Sequence, residues 1–326
     1  MESHYTDEQL PKSIKKTNKY KKYFINKSKK HSKCAPYIDN TGNIKKGKTK
    51  KKMKIYKSAF KNTCFSRNAL IRLIDLWNKY YKSSHKIKYS NSTSNVNLWK
   101  KIQNVMKNKC KNEVCWIKQN FAKKDRKYLE ENFKPLMPPM WYNKKNEWLN
   151  TLDIEAALQQ YEVKYPNFKI IGAVPIDFDS KLSYGECVVN ELCNINLPKL
   201  HKKDKIDYIG VVFNLDKHNQ DGSHWIAMYC DLIKSNICYW DSYGLKPPKQ
   251  VNILMKRLQK QGKGLNKNLI IKINKKRHQY NGSECGIYCI NFIVSLLEGK
   301  SFEKVTNTVI PDKKINYLRS KYFLPL

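Results

Sequence analysis

The sequence lacks any apolar run that approaches the roughly 20 residues needed to cross a bilayer. Its N-terminus also lacks the short hydrophobic core of a secretory signal peptide. We therefore expect neither a membrane protein nor a secreted one. No internal repeat is found along the chain.

Paired cysteines of the zinc-binding type are absent as well. The ten cysteines are irregularly spaced, and no two of them form a Cys-x-x-Cys pair. Cys110 and Cys115 come nearest to a ligand pair, but no second pair completes them. This spacing fits neither a disulfide framework nor a zinc site. We expect reduced thiols, no metal and no cofactor.

Arginine is scarce: the chain has six, so lysine supplies nearly all of its formal net charge of +37. The excess is concentrated, since residues 1–60 hold eighteen Lys, no Arg and four acidic residues, with the densest run between Lys45 and Lys54. Such a segment cannot bury a core, so residues 1–62 are predicted to form a disordered Lys-rich tail. Two interpretations stay open, a solvated tail and an arm that contacts DNA or another polyanion without sequence preference.

Amphipathic patterns begin near residue 63. Leu70, Leu73 and Trp77 fall at helical spacing behind a candidate cap at Ser66, and a second stripe starts at Leu98. These patterns predict an N-terminal helical module over residues 63–140, which ends in a proline-rich segment. Residues 141–326 alternate strand and helix patterns and are predicted to form a separate mixed α+β domain.

The segment from Asn281 to Gly286 is followed by an apolar run that extends to Leu297. This pattern predicts a helix that starts at Cys285. A cysteine there meets the partial positive end of the helix dipole, which favours thiolate over thiol. Cys285 is therefore a candidate nucleophile for attack on a carbonyl.

Two strand patterns upstream flank a turn near Ile233 and predict an antiparallel hairpin. This pairing puts His224 and Asp241 on one face, with Cβ atoms roughly 5 to 8 Å apart. A cysteine hydrolase needs a base for the thiol proton and a carboxylate that fixes the tautomer of that base. We predict these roles for His224 and Asp241. Gln279 is predicted to place its amide in the oxyanion hole together with the Cys285 backbone N–H.

Together these residues resemble the cysteine proteases that process ubiquitin-like proteins, the deSUMOylating group to which the adenovirus maturation protease is related. The resemblance rests on the order His, Asp, Gln, Cys, on His-Trp at 224–225 and on Gln-x5-Cys-Gly-x-Tyr, and it spans residues 148–289. It implies a papain-like fold with residues 141–326 as the catalytic domain. Asn214 and the Trp148-Leu149-Asn150 segment match two further landmarks of the family, so Asn214 is expected to support the site.

Within that group the chain looks most like the branch encoded by large cytoplasmic DNA viruses, which includes the African swine fever virus and mimivirus-type proteases. Members of the branch are implied to cut structural polyproteins after Gly-Gly during particle maturation and to travel inside the virion. The expected partner is thus a viral polyprotein or a ubiquitin-like fusion, and the expected location is the virion and the viral factory in the host cytoplasm. The chain also departs from the cellular deSUMOylating enzymes, which usually carry Asp directly after the Trp-Leu-Asn segment, where this chain has Thr151.

Trp148 and Trp225 have two interpretations. Either side chain could belong to the core, or the pair could clamp a narrow substrate channel that only glycine passes, because glycine has no Cβ.

Alternatives also remain for the function. The leading hypothesis is an endopeptidase that cuts after Gly-Gly, and the same site could instead remove a ubiquitin-like modifier from lysine. Outside the enzymes, the chain could be a basic nucleic-acid-associated protein with a relict protease fold.

Overall fold

The computed structural model of the chain describes residues 32–39, 56–144 and 146–325. These residues form two compact units. One unit holds residues 32–39, 56–137 and 322–325, and the other holds residues 138–144 and 146–321. The predicted lysine run from Lys45 to Lys54 lies outside the described residues.

The first unit is built mainly from short helices. Its elements are β1 (Ile38–Asp39), β2 (Tyr56–Lys57), α1 (Arg67–Tyr80), α2 (Asn95–Met106), α3 (Glu113–Lys118) and α4 (Arg126–Glu130), with 3-10 turns at Ser83–His85 and Asn120–Asp125. The predicted cap of α1 is confirmed, because the Ser66 side chain accepts a hydrogen bond from the Ala69 N–H. Leu73 of α1 and Leu98 of α2 share one buried core.

Part of the predicted 1–62 tail is folded in this unit. Cys34 and Ala35 are buried, and the Tyr37 hydroxyl donates a 2.5 Å hydrogen bond to the Glu131 carbonyl. Residues 32–39 and 56–62 therefore do not belong to a disordered tail. The short apolar run from Cys34 to Ile38 lies within a lysine-rich stretch, so a composition argument over residues 1–62 does not detect it.

The expectation of reduced thiols is wrong for six of the ten cysteines. Disulfides join Cys34–Cys64 and Cys110–Cys115 in the first unit and Cys187–Cys193 in the second. Four cysteines are free, namely Cys230, Cys238, Cys285 and Cys289. Sequence spacing did not reveal the pairs, because pairing depends on the distance between Cα atoms in the fold rather than on separation along the chain.

The second unit carries a mixed sheet. Its helices are α5 (Thr151–Lys164), α6 (Asn190–Cys193), α7 (Lys249–Lys263), α8 (Cys285–Leu297), α9 (Phe302–Asn307), α10 (Asp312–Tyr317) and the start of α11 (Arg319–Tyr322). Its strands are β3 (Phe168–Pro175), β4 (Tyr208–Asn214), β5 (Trp225–Asp231), β6 (Asn236–Trp240) and β7 (Ile270–Ile273). A 3-10 turn covers Pro139–Tyr142, and a π-helical turn covers Lys199–Lys203.

The five strands of this unit pair in the order β3-β4-β5-β6-β7. The two outer pairs are parallel and the two inner pairs are antiparallel. Helix α7 covers one face of the sheet, where Leu254 joins Val211 and Met228 in a buried cluster.

Helix α8 is apolar on all sides and is buried along its whole length. It packs on β5 and α5, and Phe292 of α8 stacks on Trp240 of β6 with ring centroids 5.2 Å apart. The predicted α+β architecture, a mixed sheet packed on the helix that begins at Cys285, is confirmed. Within the described residues, no helix is both long enough and apolar enough to cross a bilayer.

A glycine near the end of a helix commonly forms a left-handed cap, but α7 continues through Gly262 to Lys263. A Cβ at Gly262 would lie 2.7 Å from Cγ of Leu269. Glycine is therefore needed at this position for close packing and not for a turn.

Candidate active site

The hairpin of β5 and β6 brings His224 and Asp241 together. Asp231 pairs with Asn236, so the turn is centred near Ile233 as the sequence predicts. The register makes His224 and Asp241 diagonal neighbours on one face of the hairpin, and Nε2 of His224 lies 2.9 Å from Oδ1 of Asp241. The expected imidazole to carboxylate hydrogen bond is thus confirmed. Both side chains are buried.

Cys285 is the first residue of α8 and is 1% exposed. Its thiol interacts with the imidazole of His224, since Cys285 is one of the groups that raise the pKa of that histidine. Asp241 occupies Nε2 of the ring, so Nδ1 is the nitrogen left for Cys285. His224 therefore interacts with both the Asp241 carboxylate and the Cys285 thiol.

The electrostatics of His224 follow from this arrangement. Burial lowers the pKa of His224, but the hydrogen bonds to Asp241 and Cys285 and the charges of both partners outweigh burial and raise it to about 9. At neutral pH the imidazole is therefore favoured in its protonated form next to the Cys285 sulfur. A pKa this high makes His224 a strong enough base to take the proton of a neighbouring thiol.

The other free thiols lie in a different environment. Burial raises the pKa of Cys230 and of Cys289 well above the ordinary value, and it raises the pKa of Cys238 to about 12. These three thiols stay protonated at neutral pH, which makes them poor nucleophiles.

Gln279 is fully buried, and its amide is oriented by its neighbours. The Ser242 hydroxyl donates to Oε1 of Gln279 over 2.6 Å, while Nε2 donates to the Asn281 carbonyl over 2.7 Å. The Gln279 backbone N–H also donates to the Ser242 carbonyl over 2.9 Å. The end of the hairpin therefore holds the predicted oxyanion donor in place.

Asp312 at the start of α10 anchors the same loop, and no sequence motif pointed to it. Its Oδ2 accepts hydrogen bonds from the backbone N–H groups of Tyr280 and Asn281, each over 2.9 Å. Its Oδ1 accepts from the hydroxyl of Tyr288 in α8 over 3.0 Å. Asp312 thus ties the loop that carries Gln279 to the helix that carries Cys285.

The two tryptophans have different environments. Trp225 is 4% exposed, and its Nε1 donates to the Leu149 carbonyl over 2.9 Å. A Cβ at Gly286 would lie 3.1 Å from Cβ of Leu149 and 3.5 Å from Cδ1 of Trp225. Trp225 and the Trp148-Leu149 segment therefore border the residue that follows the nucleophile. The side chain of Trp148 is 38% exposed.

Asn214 organises the loop that leads into His224. Its Oδ1 accepts from the backbone N–H groups of Asp216 and Ser223 over 3.1 and 3.2 Å. Gly222 has a φ of +99°, and a Cβ there would lie 2.4 Å from Nδ2 of Asn214. Asn214 is therefore placed as a loop support close to His224 in sequence.

Tyr243 was missed as a site residue, although the hairpin contains the signal, because the register continued beyond its last pair, Ala227–Trp240, leads to a position opposite His224. Its ring stacks on the imidazole with centroids 4.7 Å apart and planes 22° apart. Its backbone N–H donates to Oδ1 of Asp241 over 2.8 Å. Its hydroxyl lies 3.5 Å from Nε2 of Gln279. Tyr243 thus contacts three of the four predicted catalytic residues.

A buried polar cluster braces the residues just before Cys285. Glu284 accepts from Nδ2 of Asn316 over 2.6 Å, and Asn316 accepts from Nε of Arg319 over 3.0 Å. The guanidinium of Arg319 lies 4.4 Å from the ring centroid of Trp141. Burial lowers the pKa of Arg319 to about 10, and the negative charge of Glu284 opposes that effect.

The described residues contain no group of three or more His, Cys, Asp or Glu side chains placed to hold a metal ion.

Comparisons with known proteins bear on this segment. Residues 180–326 match the Ulp1 protease family, C-terminal catalytic domain. A protein of Acanthamoeba polyphaga mimivirus that bears the name of a thiol protease is 40% identical over 182 residues, which cover 56% of this chain. The matched part spans 58% of the length of that relative. A cysteine protease of African swine fever virus is 25% identical over 190 residues, which cover 54% of this chain and 67% of that protein.

A solved structure shares the fold. The crystal structure of the African swine fever virus pS273R protease is similar with a TM-score of 0.57 and 21% sequence identity. The similarity covers 90% of this chain and 96% of that one.

Proposed function

We propose that this chain, whose residues 180–326 match the Ulp1 protease family, is a cysteine endopeptidase in which Cys285 is the nucleophile. The observation that carries the proposal is the 2.9 Å hydrogen bond between His224 and Asp241, in a histidine whose pKa is raised by both Asp241 and Cys285. His224 is the general base and acid, and Asp241 holds its tautomer and orientation. Gln279 and the Cys285 backbone N–H are the donors of the oxyanion hole.

The reaction follows from these roles. His224 takes the thiol proton of Cys285, and the sulfur attacks the carbonyl carbon of the peptide bond to give a tetrahedral intermediate. The C–N bond then breaks, and the imidazolium of His224 donates its proton to the departing amine. A thioester between Cys285 and the substrate remains. Water, deprotonated by His224, attacks the thioester and releases the carboxylate product and the free thiol.

The proposed oxyanion hole stabilises both tetrahedral intermediates. Its amide donor is preorganised, because Ser242 and Asn281 already fix the orientation of Gln279. A donor held in advance needs no rearrangement when the negative charge develops, and losing one such donor typically costs about 10²- to 10³-fold in rate.

We propose cleavage after Gly-Gly. Cys285 is 1% exposed, and the residue after it is bordered by Leu149 and Trp225. A nucleophile this enclosed is accessible only to a slender segment of chain. Glycine meets that requirement, because it has no side chain to collide with the channel walls. In this proposal Trp225 forms a wall of the channel, and Trp148 covers it from the exposed side.

The proposed substrates are viral structural polyproteins that mature inside the particle, with the enzyme located in the virion and in viral factories of the host cytoplasm. The viral source of the mimivirus and African swine fever virus relatives supports this proposal. The Lys-rich tail would add a non-specific contact with DNA or another polyanion. Its composition is the support for that role.

A second candidate is the removal of a ubiquitin-like modifier from lysine. The observation that favours it is the name SUMO-1 cysteine protease carried by African swine fever virus relatives that are 25% identical to this chain. The same Cys285 site would perform this reaction, so the two candidates differ in the substrate that docks and not in chemistry. A relict fold without activity is disfavoured, because a decayed site has no reason to keep all four groups.

The test is cleavage of a fluorogenic peptide that ends in Gly-Gly, run beside intact SUMO and ubiquitin fusions. We expect peptide turnover that Cys285→Ala abolishes, and no cleavage of the fusions. Efficient cutting of a fusion would assign deconjugation instead. Absence of cleavage in all three assays would contradict the endopeptidase proposal.

A further inference from the structure

A column of stacked side chains extends outward from the catalytic histidine. The ring of Tyr243 stacks on His224 with centroids 4.7 Å apart. The guanidinium of Arg277 lies over the ring of Tyr243 at 5.2 Å and over the ring of Tyr280 at 4.8 Å. The site described above uses His224 and is contacted by Tyr243, but it gives no role to Arg277 or Tyr280.

The guanidinium of Arg277 is held in place although it is exposed to solvent. Its Nε donates to the Gln279 carbonyl over 2.8 Å, and the two tyrosine rings hold its plane. Within the described part of the chain no carboxylate forms a salt bridge with it. Its terminal nitrogens therefore remain available to a ligand.

The residue type is informative here. Only six of the 64 basic residues of the chain are arginine, and the two residues before Arg277 are lysines. Arginine presents a planar fork of N–H donors that matches a carboxylate with two parallel hydrogen bonds, and it stacks on aromatic rings. An ammonium group does neither as well. The fixed plane of Arg277 is thus suited to a carboxylate.

The position of the column relates it to one part of the substrate. In the proposed function, on which this inference rests, His224 gives its proton to the departing amine. The chain that follows the cleaved bond therefore leaves past the His224 ring, and Tyr243 covers that ring. The Tyr243 hydroxyl also lies 3.4 Å from the Asn281 carbonyl, next to the proposed oxyanion donor.

We infer that Arg277, supported by Tyr243 and Tyr280, forms a subsite that binds a side-chain carboxylate of the substrate just after the cleaved bond. The ligand class is an Asp or Glu residue in a peptide. The 68% exposed ring of Tyr280 adds an apolar surface for the methylene groups of such a side chain.

The inference can be tested by binding, which does not require cleavage. Peptides of the form Gly-Gly followed by three residues are prepared in pairs, with Glu or the isosteric Gln at each of the three positions. Their Kd values are measured by fluorescence anisotropy on Cys285→Ala at about 0.15 M salt, where charges more than about 8 Å apart are largely screened. We expect Glu to bind about fivefold more tightly than Gln at one position, as for a well-oriented but solvent-exposed ion pair.

Three further variants in the Cys285→Ala background assign the effect. Arg277→Gln should bring the ratio of Kd values to within about twofold of unity, and Arg277→Lys should keep only part of the preference, because it retains the charge without the fork. Lys275→Gln removes an exposed neighbouring cation and should keep the full preference.

Three outcomes would overturn the inference. One is equal binding of the Glu and Gln peptides at all three positions. Another is a loss of preference in Lys275→Gln as large as that in Arg277→Gln, which would assign the preference to the general positive charge of the chain. The third is a pair of results: a single-stranded oligonucleotide binds in a way that depends on Arg277, and the preference of the peptides for Glu over Gln does not depend on Arg277. Failure of the proposed function is detected separately, as absence of cleavage by the unmodified enzyme.

Discussion

Nε2 of His224 lies 2.9 Å from Oδ1 of Asp241, although the two residues are 17 positions apart in the chain. The β5–β6 register produces this contact, because it makes the two residues diagonal neighbours on one face. The contact leaves Nδ1 of the imidazole to Cys285 and contributes to the raised pKa of His224. The reactivity of the site therefore depends on the length of the turn that joins two strands.

The first prediction concerns pH. The pKa of His224 is raised above its ordinary value, to about 9, so the protonated imidazole persists below that pH and is lost as the pH rises through it. We expect kcat/KM to fall on the alkaline side near pH 9. Asp241→Asn removes a negative charge that raises this pKa, so its alkaline limb should move to lower pH. An unchanged alkaline limb in Asp241→Asn would show that another group titrates there.

The second prediction separates the ring of Tyr243 from its hydroxyl. Stacked aromatic pairs contribute about 0.5–1.5 kcal/mol, so loss of the ring in Tyr243→Leu should lower kcat/KM by about two- to tenfold through a less constrained His224. Tyr243→Phe keeps the stacked ring, so its kcat/KM should fall by less. Tyr184 is 71% exposed, and Tyr184→Leu serves as the control that should leave kcat/KM unchanged. Equal losses in Tyr243→Phe and Tyr243→Leu would assign the effect to the hydroxyl instead.

The third prediction compares two glycines near the site. Gly244 has a φ of +76°, and a Cβ there would lie 2.9 Å from the backbone oxygen of Lys275. Gly244→Ala should lower the free energy of unfolding by about 1–3 kcal/mol, because both strain and a backbone clash oppose it. Gly282 has open space around its Cβ position, so Gly282→Ala should change the free energy by less than about 0.5 kcal/mol. Denaturant titration measures the free energy of unfolding of both variants. Similar losses in Gly244→Ala and Gly282→Ala would show that strain and the clash at Gly244 are not the cause.

The fourth prediction concerns Asp312. Its carboxylate accepts from two backbone N–H groups in the Gln279 loop and from the Tyr288 hydroxyl. Asp312→Ala leaves these donors without that acceptor and should cost about 1–3 kcal/mol of stability. It should also lower kcat, because the oxyanion donor loses its anchor. Asp221 is exposed, and Asp221→Ala should change neither quantity. A loss of stability with kcat unchanged would remove Asp312 from the support of the oxyanion hole.

Local patterns predicted much of the catalytic unit. Two apolar strand patterns on either side of a polar turn predicted the hairpin, and the apolar run after Cys285 predicted α8. The motif residues His224, Asp241 and Cys285 were predictable together, because a hairpin fixes the relation of the first two and the third stands at the start of a helix, where the helix dipole favours a nucleophilic thiol. The roles assigned to them stay predictions.

Contacts between distant segments were less accessible to sequence reasoning. Asp312 and Arg319 lie after the last recognised motif, and their partners Asn281 and Glu284 are about 30 residues away. The disulfide between Cys34 and Cys64 likewise joins segments whose proximity exists only in the folded unit. Periodicity reports which face of an element is buried but not which distant residue meets it.

The most direct test of the account is covalent capture of the nucleophile by a Gly-Gly peptide with a C-terminal vinyl sulfone, mapped by mass spectrometry without reductant. At neutral pH we predict a single adduct on Cys285 that His224→Ala slows strongly, with Cys230, Cys238 and Cys289 unmodified, because burial raises the pKa of each of those three thiols. Adducts that form on those cysteines as fast as on Cys285, or capture that does not depend on His224, would contradict the account.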